Sequence, residues 1–249
     1  MGAAEAETVA RRRNLKTLPP EKRVPLILER LGMHQGMPTH ARPLPAVDGL
    51  ILGVLSQNTT DVNSDRAFTR LRARFATWEQ VRDAPWEEVE EAIRVAGLSE
   101  VKATHIQQIL SRITADRGSI ELDFLRDMPT QEARDYLVSL PGIGLKTSAI
   151  LLLFRFGKPV FPVDTHIYRV SKRLALIPEM ATIARAHRIF DAMLKPEQMF
   201  PLHVGLIMHG RRVCIPRRPR CPECPLLDLC PQVGVTGIEE SRSRRVEES

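Results

Sequence analysis

Apolar residues recur along this chain at helical spacing, and no stretch alternates long enough to supply the strands of a sheet. Val24, Leu26, Ile27 and Leu31 place an apolar stripe on a helix from Pro20 to Leu31, with Gly32 as its expected stop. Ala46 to Gln57 is apolar almost all round, which predicts a central, buried helix. Arg66 to Phe75 is amphipathic. Pro85-Trp86-Glu87-Glu88 reads as a helix start, with proline in the first turn and acids near the positive end of the dipole. Gly97 is expected to end that helix. Lys102 to Ile113, Thr130 to Leu140 and Leu145 to Phe156 follow as further helices. The apolar run Ala149 to Phe154 is far too short to cross a bilayer, so no membrane is expected. Short extended pieces such as Pro159 to Val163 are too few for a sheet. The predicted fold class is all-α, without solenoid repeats. Trp78, Trp86, Tyr168 and the methionines are expected in the core, and Glu87-Glu88-Val89-Glu90-Glu91 on a solvated face.

Composition narrows the picture. A chain of 249 residues with 43% apolar and 27% charged residues is an ordinary globular protein of one large or two small domains. The formal net charge is +6, which admits a polyanionic partner. That charge is carried by 29 arginines and only 7 lysines, so each lysine stands out. Arginine grips phosphate through a planar fork, whereas lysine is a point charge that can lose its proton on burial. Met1 to Arg13 has no apolar core of the secretory kind, and Ile238 to Ser249 has no apolar period. Residues 1–17 and 233–249 are expected to be flexible tails.

All four cysteines, Cys214, Cys221, Cys224 and Cys230, fall in one short segment as C-x6-C-x2-C-x5-C. An extracellular disulfide framework would scatter them, so the cluster reads as a metal site. Pro216, Pro219, Pro222 and Pro225 keep the segment irregular. Zinc and a [4Fe–4S] cluster both accept four thiolates. Only Cys221 and Cys224 form a close pair, and the wide outer spacers lean toward the cluster. A group that merely holds the loop, without redox work, is equally compatible.

Leu140-Pro141-Gly142-Ile143-Gly144 separates two helical patterns. A helix, a tight glycine turn and a second helix can bind phosphate, because Gly142 and Gly144 permit close approach and the next helix presents its first N–H groups. The same turn can be a plain connector. Lys146 lies in the first turn of the second helix, where its charge opposes the dipole and the neutral, nucleophilic amine is favoured. It could instead contact phosphate. Asp164 in Val163-Asp164-Thr165-His166 is placed to cap the following helix, or to act as a functional carboxylate.

Taken together, Leu140 to Thr147, Val163 to Val170, His209-Gly210-Arg211 and the cysteine spacing resemble endonuclease III, a family of helix-hairpin-helix DNA glycosylases with AP lyase activity. The resemblance runs over about residues 20 to 232. It implies a two-lobed α-helical fold. A six-helix barrel with the hairpin would occupy 39–157, and an iron–sulfur domain 18–38 with 158–232. It also implies a [4Fe–4S] cofactor held by the four cysteines and a double-stranded DNA partner carrying damaged bases or abasic sites. The damaged nucleotide would be flipped out for reaction. Lys146 would then attack the sugar C1′, form a Schiff base and cleave the strand by β-elimination. Asp164 would stabilise the cationic sugar. Oxidised pyrimidines such as thymine glycol would be the substrates.

Either Gln57 or Asn58 would fill the gap left by the flipped base, with Leu98 as an apolar wedge. By itself Leu98 reads as a core leucine, and Gln57-Asn58 as a helix end. Gly142 and Gly144 of the hairpin, together with Arg217, Arg218 and Arg220 of the cysteine loop, would contact the DNA backbone. A cytoplasmic, nucleoid-associated monomer is expected. Two rivals remain: a mismatch-type glycosylase of the same superfamily, and a DNA-binding module without catalysis. The adenine-excising branch usually carries Ser where this chain has Lys146 and Glu where it has Gly53. The connector from Arg117 to Leu140 is longer than in the best-known members.

Overall fold

The computed structural model describes residues 15–36 and 44–235, and among these it contains helices, turns and irregular chain but no strand. In chain order the helices are α1 (Pro20–Gln35), α2 (Ala46–Leu55), α3 (Asp61–Arg74), α4 (Trp78–Asp83), α5 (Trp86–Ile93), α6 (Ser99–Arg117), α7 (Thr130–Ser139), α8 (Leu145–Phe156), α9 (Thr165–Arg173), α10 (Ile183–Met193) and α11 (Pro196–Arg212). Short 3-10 turns occur at Arg94–Ala96, Asp123–Arg126 and Cys221–Glu223. The chain divides into two compact units, His40–Pro162 and Met1–Thr39 with Val163–Ser249. The expected tails lie outside the described residues, apart from 15–17 and 233–235.

The unit His40–Pro162 is built around α2, whose Leu50, Ile51, Val54 and Leu55 are fully buried. Helices α3 to α8 supply the surrounding apolar faces, including Leu71, Val81, Ile93, Ile106, Leu110 and Leu152. Helix α2 approaches α8 closely because its contact positions are glycines. A Cβ on Gly49 would lie 3.3 Å from Leu151 Cδ1, and one on Gly53 would lie 2.9 Å from Thr147 Cγ2. Larger side chains would force the helices apart.

Local chemistry sets several boundaries that periodicity misses. Helix α3 begins at Asp61, earlier than Arg66, because the Thr60 hydroxyl accepts from the Asn63 N–H. Its polar first turn carries no apolar signal. The short α4 starts at a capping box formed by Thr77 and Gln80 and buries Trp78 and Val81. Met33 and Met180 are corrections, at 75% and 90% exposed, and so is Trp86. It is 36% exposed at the rim of α5, and its indole N–H donates to Thr104 Oγ1 at 3.1 Å. Tyr168 is half-buried and its hydroxyl donates to the Ala181 carbonyl. The acidic run is solvated only in part. Val89 is buried, Glu88 and Glu91 pair with Arg74, and Glu90 accepts from Arg94 and Ser99.

In the other unit, Gly32 does not end α1, which continues to Gln35 before Gly36 at φ 79°. A tertiary contact holds the extra turn, since Gln35 Nε2 donates to the Gly205 carbonyl at 2.9 Å. The core brings together Val24, Ile27, Val170, Phe190, Leu202, Leu206 and Leu229. Helix α11 meets α9 through Gly210, where a Cβ would lie 3.0 Å from His166 Cβ and 3.2 Å from Val170 Cγ2. This close contact is a physical reason for glycine in the His209-Gly210-Arg211 motif.

Arg23 of α1 is 2% exposed. Its guanidinium donates to the carbonyls of Leu174, Ala175 and Leu229. It thereby joins the end of α9 to the cysteine segment. Arg23→Met, which leaves these carbonyls unmatched, is expected to destabilise the fold by about 2 to 3 kcal/mol. The measure is a lower urea midpoint with an unchanged denaturant slope.

Candidate functional site

In the unit His40–Pro162, α7 and α8 enclose the predicted hairpin. The Ile143 N–H donates to Leu140 O at 3.1 Å, and Ser148 N–H to Gly144 O at 3.0 Å. Gly142 has φ 71°, in the left-handed region that favours glycine. A Cβ there would also run into the imidazole of His105. Gly144 is the N-cap of α8 and provides no side-chain cap. The first N–H groups of α8 therefore lack the capping oxygen that Thr60, Thr77 and Thr182 give their helices. Lys146 is exposed in this first turn, beside the buried Thr147 that packs on Gly53.

Two loops of the same unit present the remaining candidate DNA contacts. After α2, the Gln57 side chain donates from Nε2 to Gly142 O at 2.9 Å, so the loop is tied to the hairpin. Asn58 is exposed with φ 52°. After the turn Arg94–Ala96, Gly97 has φ 67° and Leu98 φ 49°. Leu98 is 59% exposed, which excludes the core reading. A leucine in this conformation carries about 1 to 2 kcal/mol of strain. An exposed, strained apolar side chain suits contact with a partner better than packing within the unit.

In the other unit, Asp164 caps α9, and its Oδ1 accepts from the Ile167 N–H at 2.7 Å. Lys146 and Asp164 thus stand at the N-terminal ends of helices in different units.

The four cysteines line one apolar cavity, together with Val170, Leu174, His209, Leu226 and others. Each cysteine is free and partly buried. Burial pushes the Cys224 thiol up to about 12 and the Cys230 thiol up to about 11. Burial also pushes His209 down to about 4, and its neutral ring lies 3.7 Å from Cys224 Sγ. Among the described residues, no three His, Cys, Asp or Glu side chains converge on a point that would hold a single metal ion. Arg173 donates to Cys214 Sγ at 3.3 Å and to Ile215 O at 2.8 Å, and Arg169 donates to Cys214 O and Gly210 O. Arg217, Arg218 and Arg220 are exposed on the same segment.

Residues 51–196 match the family described as the HhH-GPD superfamily base excision DNA repair protein. Endonuclease III of Sulfolobus acidocaldarius is 34% identical over 73% of this chain and 79% of its own length. A structure of a trapped covalent endonuclease III–DNA intermediate is 30% identical with a TM-score of 0.74, covering 90% of this chain and 99% of that one. The chain belongs to the endonuclease III family. It is a base excision repair DNA glycosylase of the HhH-GPD superfamily. A protein of Arabidopsis thaliana that carries a DNA glycosylase name is 37% identical over 66% of this chain, which covers 56% of that relative's length.

Several residues of this endonuclease III family member were not singled out by sequence pattern. Lys102 is 2% exposed and reaches the carbonyls that precede both candidate DNA loops. His105 closes against Gly142, and Arg169 and Arg173 hold the cysteine segment. A polar residue on an otherwise apolar helix face, as Lys102 is on α6, is the signal that could have marked it. No helix among the described residues is long and apolar enough to cross a membrane.

Gly142→Ala is expected to lower stability by about 1 to 3 kcal/mol, from backbone strain and overlap with His105. Adding His105→Ala should recover the overlap part only. Thermal unfolding of the single and double variants checks both terms.

Proposed function

We propose that this glycosylase is bifunctional: it removes oxidised pyrimidines such as thymine glycol from duplex DNA and nicks abasic sites by β-elimination. The observation that carries this reading is Lys146, an exposed amine in the first turn of α8, directly after a glycine hairpin whose helix start has no side-chain cap. The hairpin N–H groups would hold a DNA phosphate without reading sequence. The Lys146 Nζ lone pair attacks C1′ of the flipped nucleotide. The glycosidic bond breaks with its electron pair leaving on the base, and the amine gives up a proton. Opening of the sugar ring yields the imine. Loss of a C2′ proton then expels the 3′ phosphate. Asp164, as a carboxylate, stabilises the cationic sugar and assists proton transfer.

The two loops supply the rest of the reading. Gln57 is engaged with the hairpin, so the exposed Asn58 is assigned as the residue that fills the gap. Leu98 is the wedge that unstacks the neighbouring base. Arg217, Arg218 and Arg220 neutralise backbone phosphates.

Cys214, Cys221, Cys224 and Cys230 would hold a [4Fe–4S] cluster. The residues fit that group. Four cysteines lining one apolar cavity supply the set of sulfurs that such a cluster takes. Buried thiols with raised proton affinity also need a bound cationic group to become thiolates. The cluster would supply a rigid centre for the loop, and no redox step is assigned to it. Gly53 further favours this branch over the adenine-excising one. The Cβ of a glutamate there would meet Thr147.

Borohydride trapping on duplex DNA bearing thymine glycol or an abasic site is expected to give a covalent adduct that Lys146→Ala abolishes. DNA binding without any adduct would sink the lyase assignment. Asp164→Asn keeps a side-chain cap and removes the charge, so folding and binding should persist while turnover falls by about two orders of magnitude or more. Wild-type turnover would reduce Asp164 to a cap. Elemental analysis of the purified protein is expected to find about four iron atoms per chain. Stoichiometric zinc would overturn the cluster.

A further inference from the structure

Lys102 lies on α6, is 2% exposed, and its side chain makes two hydrogen bonds to backbone carbonyls at loop entrances. Its Nζ donates to Leu55 O at 2.8 Å and to Ala96 O at 2.9 Å. Its backbone N–H donates to Leu98 O at 3.0 Å. Leu55 is the last residue of α2, and Ala96 the last of the 3-10 turn. Both carbonyls stand at C-terminal helix ends, where the chain leaves orphan acceptors and a partial negative charge. Burial pushes the ammonium toward its neutral form. Among the described residues no carboxylate pairs with it in an ion pair. A buried cation held only by carbonyls is a costly way to fill space, and an apolar side chain would pack there without that cost.

What the ammonium does accomplish is geometric. Leu55 precedes Asn58 by three residues, and Ala96 precedes Leu98 by two. Asn58 and Leu98 are both in the left-handed conformation, at φ 52° and 49°. Strained residues persist only where their surroundings over-determine them. A single nitrogen therefore ties together the starts of the two loops that carry them. From outside, Glu90 accepts from Ser99 Oγ at 2.6 Å and from Arg94 Nη2 at 2.7 Å, bracketing the second loop.

We propose that Lys102 is a positioning residue that sets the spacing between the Asn58 loop and the Leu98 loop, so that both enter the gap left by a flipped nucleotide. This rests on the reading of those loops as gap-filling. The test uses the full chain and duplex DNA with a stable abasic analogue opposite 2-aminopurine, whose fluorescence reports displacement of the unpaired base when the loops enter. It does not depend on the chemistry of Lys146. Lys102→Met should bind this duplex within about threefold of the unsubstituted chain and lose most of the fluorescence change at saturation. Leu98→Ala should lose it too, and the double variant should lose no more than Leu98→Ala alone, because both changes act on one element. A full fluorescence change with Lys102→Met, or losses that add independently, would overturn the proposal. A full change with Leu98→Ala would overturn the gap-filling reading and the proposal with it. Should Lys102→Met not fold, Lys102→Gln, with two N–H donors on a shorter neutral chain, enters the same cycle and the same outcomes decide.

Discussion

Helices end with backbone carbonyls that have no partner in the helix, and an all-helical protein accumulates such ends wherever the chain turns. In this protein, long cations reach back into the interior to meet them. Arg23 serves the end of α9 and the cysteine segment. Arg169 and Arg173 serve the entry to that segment, and Lys102 serves the ends of α2 and the 3-10 turn before Leu98. Each cation converts an irregular stretch into a defined one without regular structure of its own. The candidate DNA contacts and the cysteine cavity lie on such stretches, so their geometry depends on these few donors.

The second constraint is how closely the helices approach. Gly49 and Gly53 let α2 lie against α8, and Gly210 lets α11 lie against α9. The first contact places Thr147, the neighbour of Lys146, directly on α2. Lys146 is thus carried by a helix whose position is fixed by packing, while loops of the same unit carry strain at Asn58 and Leu98. On the proposed reading of these loops, rigid support and local strain would serve one purpose, since a partner can only be deformed by side chains that do not yield first.

The cysteine cavity follows the same economy. Its walls are apolar, burial makes the Cys224 and Cys230 thiols hold their protons tightly, and His209 is held neutral beside Cys224. For these two thiols a bound group that supplies positive charge would favour the thiolate. The proline-rich segment has no repeating hydrogen-bond pattern, so its fold would draw on that group as well as on Arg23, Arg169 and Arg173.

Much of the site was legible in the sequence because chemistry-bearing residues at fixed spacing need no packing to be recognised. The glycine hairpin, Lys146 after it, Asp164 as a cap and the four cysteines are of this kind. The apolar periods of α2, α8 and most of α6 were legible for the same local reason. Helix starts set by Thr60 and Thr77, the continuation of α1 past Gly32, and the exposure of Trp86 and Leu98 were not. Each depends on a hydrogen bond or a neighbour distant in the chain, and periodicity carries no record of either. Sequence left the choice between Gln57 and Asn58 open, and only the folded chain shows Gln57 bonded to the Gly142 carbonyl and Asn58 exposed. It offered Lys102 as one lysine among seven. Only the folded chain brought Leu55 and Ala96 to the same nitrogen, because burial and the meeting of distant carbonyls are properties of packing and not of spacing.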